Sequence, residues 1–160
     1  MTVRQWLGIA ACALITLAGC ASTPKPLNIA ETAAAKPELS TLNKLVQDSG
    51  LSAELSGPGP YTVFAPSDEA FKAVPPATMA KLSSDKQMLK SVLNFHVLNG
   101  KVPAADVKNG SVKTVQGGNV ALSKSGEFVT VEDAVVTQAD VPATNGVVHV
   151  IDRVLMPAIK

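Results

Sequence analysis

Few side chains in this sequence are suited to covalent chemistry. Two histidines, His96 and His149, and the carboxylates Asp68, Asp106 and Asp152 supply the parts of a Ser-His-Asp hydrolase. Such a site needs a ring nitrogen free to take the serine proton and a serine presented on a sharp turn. No Gly-x-Ser-x-Gly elbow occurs, and neither histidine stands in a glycine-rich setting. Both read as structural histidines, hydrogen-bonded within the fold. A metal centre needs closely spaced His, Cys or acidic ligands, which two distant histidines and scattered acids do not provide. Gly117-Gly118 lacks the Gly-x-Gly-x-x-Gly or Lys-Ser/Thr context of a phosphate cradle and reads as a turn. No cofactor is implied.

The remaining reactive groups are two thiols, Cys12 and Cys20. They lie in a front segment with one basic residue, Arg4, and an apolar run from Trp6 to Thr16. That run is shorter than the roughly 20 residues a helix needs to span a bilayer, but it suits the core of a secretory signal. Leu17-Ala18-Gly19-Cys20 follows, and it resembles the lipobox of bacterial lipoproteins, in which the cysteine is acylated and becomes the first mature residue. Residues 1–19 are then a signal peptide and Cys20 the lipidation site. The resemblance also implies that Ala21, a non-aspartate, favours export to the outer membrane. With Cys12 removed and Cys20 consumed by lipid, no thiol remains for a disulfide. Stability must come from packing.

The rest of the chain is adequate for that. Of 160 residues, 46% are hydrophobic and 17% charged, and mean hydropathy is +0.22, which excludes a disordered chain and fits one domain. With four Phe, one Tyr and one Trp, the core must be aliphatic. The 14 basic and 13 acidic residues become balanced once Arg4 is removed. A nucleic-acid binder that relies on a phosphate-neutralising field is thereby excluded. Residues 20–36, with Pro24 and Pro26 and no sustained apolar period, read as a lipid-anchored linker, with a short helix from Ala33 as the alternative.

Beyond the linker the apolar spacing is helical at first. Leu39, Leu42, Leu45 and Val46 define a helix over 40–49, capped by Ser40 or Thr41 and stopped by Gly50. A short turn carries Leu51 and Leu55. Tyr61–Ala65 reads as a buried strand ended by Pro66, and Ser67 caps a brief helix with Asp68 and Glu69 in its first turn. Pro75-Pro76 opens another helix. Ser84-Asp85-Lys86-Gln87 has the spacing of a capping box for a helix reaching about Asn94. Phe95–Leu98 reads as extended, Asn99-Gly100 as a tight turn and Pro103–Val107 as a last helical turn. After Gly110 the period drops to two, and glycine-punctuated runs to Leu155 predict a β-meander. The class is α+β.

Two stretches are more specific, TVFAPSDEAF at 62–71 and NGVVHVIDRVLMP at 145–157. They resemble the two signature segments of the fasciclin domain, with LNFHVLNGKVPAADV at 93–107 matching the pattern between them. The resemblance covers residues 37–160. It implies a wedge-like β-sandwich of about seven strands with helices at one edge, in which the two signatures pair. Phe64, Pro66, Phe71, Asn145, Gly146, His149 and Asp152 are then signature residues. It also implies a non-enzymatic role in adhesion or extracellular binding to a protein or glycan, with a periplasmic carrier of a small apolar ligand or a hydrolase as rivals.

The family's recognition elements map onto two places here. Asp140-Val141 stands where some animal members carry an Asp-Ile integrin element, although Pro142 replaces the usual Leu or Met. Phe95-His96 stands where those members have Tyr-His. The resulting partner-binding set is Asp140, Val141, Phe95, His96 and Lys101, on a loop from Thr137 to Thr144 and a turn over Phe95–Lys101. Loops on a rigid scaffold usually carry binding.

Overall fold

The computed structural model describes residues 27–157. The first helix, α1 (Ile29–Ala35), lies in the stretch assigned to the linker. Its start is a complete capping box: the Asn28 side chain accepts from the Glu31 N–H, and Glu31 accepts from the Asn28 N–H. Ile29, Thr32 and Ala33 are buried. The linker assignment is therefore corrected over 29–35, because a helix this short persists only by packing an apolar face on the domain. A 3₁₀ turn (Pro37–Leu39) leads into α2 (Ser40–Ser49), which buries Leu42, Leu45 and Val46 and ends at Gly50 with φ +76°. Neither Ser40 nor Thr41 caps it. The cap is the carboxylate of Asp68, which accepts from the Thr41 N–H at 2.8 Å and the Ser40 hydroxyl at 2.7 Å.

α3 (Ser52–Leu55), β1 (Tyr61–Pro66) and α4 (Asp68–Lys72) follow, with Ser67 capping α4 as expected. α5 (Pro76–Ser84) leads to α6 (Lys86–Phe95). Asp85 rather than Ser84 caps α6, accepting from Gln87 and Met88 N–H at 2.9 and 3.1 Å. The Ser84 hydroxyl donates back to the Lys81 carbonyl. Phe95 and His96 belong to the end of α6 and not to the next strand, β2 (Val97–Asn99). Pro103–Val107 makes one turn, closed by the Asp106 N–H on the Pro103 carbonyl, and no helix.

The meander comprises β3 (Gly110–Lys113), β4 (Asn119–Ser125), β5 (Phe128–Val131), β6 (Ala134–Ala143) and β7 (Gly146–Ile151). All seven strands form one sheet in the order β2-β1-β7-β6-β5-β4-β3. Its ends curl until they meet, through a bridge between Leu98 and Thr114 and a Val115 N–H donated to the Val97 carbonyl at 2.8 Å. The sheet is thus nearly a barrel, with opposite halves facing each other. Alternation along the strands creates two cores. Val63, Ala65, Val97, Val148 and Val150 pack against the helices. Phe64, Leu98, Val120, Val131 and Ile151 fill the interior of the curled sheet.

The two signature segments are β1 and β7, paired in parallel with Phe64 opposite His149. Every residue of β7 is buried, as a strand covered on both faces requires. Their close approach dictates glycine at 146, where a Cβ would stand 1.9 Å from the Tyr61 carbonyl oxygen.

Candidate functional site

His96 caps α6 from within the interior, 2% exposed. Its Nε2 accepts from the Leu155 N–H at 2.9 Å, so the proton sits on Nδ1 and is donated to the Val92 carbonyl at 2.8 Å. Burial disfavours the charged ring and lowers its pKa to about 4, against a small opposing effect of the Val92 carbonyl. His149, 1% exposed and stacked on Phe64 at 5.7 Å between centroids, is held in the same way. Its Nδ1 accepts from the Asp140 N–H at 3.1 Å and its Nε2–H donates to the Val102 carbonyl at 2.9 Å. Burial again lowers the pKa, opposed by that carbonyl and by the charge of Asp140. Both rings are neutral and both nitrogens of each are committed to main chain. Neither is available as a general base.

Those bonds build a surface. β6 occupies the residues expected to be a loop, and the 137–144 assignment is corrected. Two register shifts, between Val136 and Gln138 and between Gln138 and Val141, make the strand bulge. At the second bulge Asp140 takes φ +54°; Asp tolerates this region better than most residues. His149 fixes that conformation from below, while Asp140 Oδ1 accepts from the Ala104 N–H at 2.8 Å. The neighbouring segment Gly100–Ala104 is pinned a third time by buried Thr62, whose hydroxyl donates to the Gly100 carbonyl and accepts from the Val102 N–H. Asp140 and Lys101 are exposed on this rim. Lys101 also lines a shallow cleft of about 310 Å³ between Pro58–Pro60 and Ala143–Gly146.

The remaining candidates lie elsewhere in the layers. Phe95 is 7% exposed and His96 2%, so both support the fold and neither meets a partner; their assignment to the binding surface is corrected. Val141 is half-buried opposite Val148. Phe71 is buried, Pro66 pairs with Ile151 at the end of β1, and Asp152 Oδ1 accepts from the Val135 N–H at 2.7 Å. Cys20 and residues 1–19 lie outside the described residues. Among the described residues no group of three metal-ligating side chains forms, and no helix is long and apolar enough to cross a membrane.

Asn145 ties the helices to the signature pair. Its Oδ1 accepts from the Ile29 N–H at 2.9 Å, and its Nδ2 donates to the Leu55 and Gly57 carbonyls at 2.6 and 2.9 Å. Asn145→Ala strands one donor and two acceptors in partly buried positions. A loss of about 2 kcal/mol is expected, since an unsatisfied group costs ~1–3 kcal/mol when buried and less when water reaches it. Urea unfolding checks it, and an unchanged midpoint would contradict the role.

A single curled sheet containing the parallel pair β1–β7, helices on one outer face and a pinned polar rim defines an α+β scaffold of the fasciclin type. The chain belongs to the fasciclin-domain family, whose model matches residues 37–157. It is 40% identical over 139 residues to Protein sll1483 of Synechocystis, covering 86% of this chain and 77% of that one. It is 35% identical over 147 residues to the cell surface glycolipoprotein MPB83 of Mycobacterium bovis, covering 89% and 64% respectively. Against transforming growth factor-beta-induced protein ig-h3 of Sus scrofa the identity is 36%, covering 81% of this chain but 19% of that protein. The fold is also similar to about half of a FAS1 domain pair from the insect cell adhesion molecule Fasciclin I, with TM-score 0.73 and 19% identity over 82% of this chain and 51% of that one.

Proposed function

We propose that this protein is a lipid-anchored binding module of the adhesion type, displayed outside the cytoplasm, that recognises a protein or glycan through the rim at Asp140 and Lys101 without chemical turnover. The observation that carries this reading is the pinning of that rim. Three side-chain contacts, from Thr62, His149 and Asp140 itself, order Gly100–Ala104 before any partner arrives, which reduces the entropy lost on association. A serine hydrolase is disfavoured because both histidines have spent their ring nitrogens. A carrier of a small apolar ligand is disfavoured too: the apolar space beneath α1 is about 20 Å³, whereas ligand pockets run to ~300–1,000 Å³.

Family membership and the cell-surface and adhesion proteins among its relatives support a surface or extracellular location. The signal-like front segment and Cys20 support anchoring by lipid, with the outer membrane as destination. Cys20→Ser is expected to remove the acyl mass from the intact protein and abolish its partitioning into detergent; an unacylated wild-type protein would refute the anchor. Capture by the full-length protein from envelope extract, with a glycan array in parallel, tests the binding role. The expected outcome is a saturable partner whose binding leaves it chemically unchanged, and a partner cleaved or converted would overturn the reading.

A further inference from the structure

The strand directions gather several turns at the end of the curled sheet where the chain enters the domain. The Thr144 N–H, in the β6–β7 turn, donates to the Leu27 carbonyl at 2.9 Å and fixes the entry point there. β5 is antiparallel to β6 and β4 to β5, so the β4–β5 hairpin points its tip to the same end. β3, antiparallel to β4, starts there. The turn after β2 lies there as well, because β2 is antiparallel to β1 and β1 is parallel to β7.

The hairpin tip carries an aromatic ring that the fold does not bury. Ser125 pairs with Phe128, which leaves Gly126-Glu127 as a two-residue turn, and Gly126 takes φ +62°. Glycine with positive φ at the first central position suits a tight hairpin whose twist matches its strands. Phe128 is held on that hairpin at 70% exposure, whereas Phe64, Phe71 and Phe95 are all 7% exposed or less. Val129 and Val131 belong to the inner core, and alternation along β5 turns Phe128 to the outside. Its neighbours Ser125 and Glu127 are polar and exposed. Cover for the ring must come from a surface outside the domain.

The bilayer is the surface within reach. With Cys20 as the lipid anchor, only residues 21–26 separate it from Leu27, and that length of chain spans at most about 25 Å. The entry end of the domain is thereby kept close to the headgroups. Charge at this end is mixed, Lys101 and Lys108 against Asp106 and Glu127, which suits a zwitterionic headgroup layer. Apolar side chains of membrane-surface elements enter the headgroup–acyl boundary by ~5–10 Å. We propose that the β4–β5 tip is a membrane-contact site, at which Phe128 enters the interface of the bilayer that holds the anchor. On the closed ring of strands β5 lies opposite β2, so contact at Phe128 leaves Lys101 clear. The inference rests on the lipid-anchor reading and adds the lipid surface to the partners of the domain.

The test uses Phe128→Trp in the full-length acylated protein, reconstituted into phosphatidylcholine vesicles with and without bromine on the acyl chains. Trp6 is the sole native tryptophan and lies in the signal segment, so processing leaves the introduced indole alone. Its emission should shift to shorter wavelength on reconstitution and fall at least about twofold with brominated lipid. Met156→Trp, at a site 42% exposed beyond the far end of β7, should show neither change. An unquenched indole at position 128, in protein that floats with the vesicles, would overturn the contact and leave the anchor standing. Equal quenching at both positions would overturn it too, because the domain would then present no particular end. Protein that neither carries acyl mass nor floats would remove the anchor reading and this inference with it.

Discussion

Phe64→Ala is expected to cost the protein about 3–5 kcal/mol, the range for truncating a fully buried phenylalanine. Phe64 is 1% exposed, lies on β1 between β2 and β7 and packs inside the curled sheet against Leu98, Val120 and Ile151. It also stacks on His149. Removing the ring opens a cavity in the inner core and withdraws the surface on which His149 rests, so the Asp140 bulge should loosen with it. For a domain whose whole stability is of order 5–15 kcal/mol, the loss threatens folding at ordinary temperature. A fall in Tm of more than about 10 °C is the expected readout. A Tm within a few degrees of the wild type would show that the ring is not the anchor of the inner core.

The second large effect is an acid sensitivity carried by the buried histidines. His96 has a folded pKa of about 4 against an ordinary 6.5 because burial disfavours its charged form. Between those values the unfolded chain binds a proton that the folded protein refuses, so stability is full above pH 6.5 and is lost as the pH falls toward 4. At 1.36 kcal/mol per pH unit the gap corresponds to about 3 kcal/mol, and His149, shifted down by burial as well, adds in the same direction. Asp68 responds in a separate window. Burial raises its pKa, but hydrogen bonds from Ser40 and Thr41 outweigh this and hold the carboxyl below its ordinary 3.8. Its contribution is therefore present above that value and lost only below it. Urea midpoints should hold from pH 7.5 to about 6.5 and decline from there to pH 4.5; a flat profile down to pH 4.5 would contradict the neutral, main-chain-bonded histidines.

How much of this was legible in the sequence follows from the range of each interaction. β1, Ser67 and α4 announce themselves within a few residues, through an apolar run, a proline stop and a capping hydroxyl. The β7 run, apolar on both faces, is equally local. The cap of α2 is not, because Asp68 lies 28 positions from Ser40 and nothing near α2 points to it. α1 carried an overlooked signal, Asn28 followed by Glu31 at capping-box spacing, masked by the flanking prolines and small residues. β6 resembled a loop because its two bulges break the period of two and Pro142 and Asp140 are turn-forming types. The structural reading of both histidines was available from their apolar neighbours, but their specific partners were not. Val92 is a local acceptor, whereas Leu155, Val102 and Asp140 reach His96 and His149 only through the closed sheet.

The central claim is that partner recognition lives on the rim of Gly100–Ala104 and the Asp140 bulge. Asp140→Asn combined with Lys101→Ala removes both charges while sparing the fold, because asparagine tolerates positive φ and its amide oxygen still accepts from the Ala104 N–H. Affinity for the captured envelope partner should be measured for the wild type and this double variant, alongside their melting curves. The account predicts at least about a tenfold loss of affinity, as for a central charged contact, with superimposable melting. Equal affinity of the two proteins would contradict it.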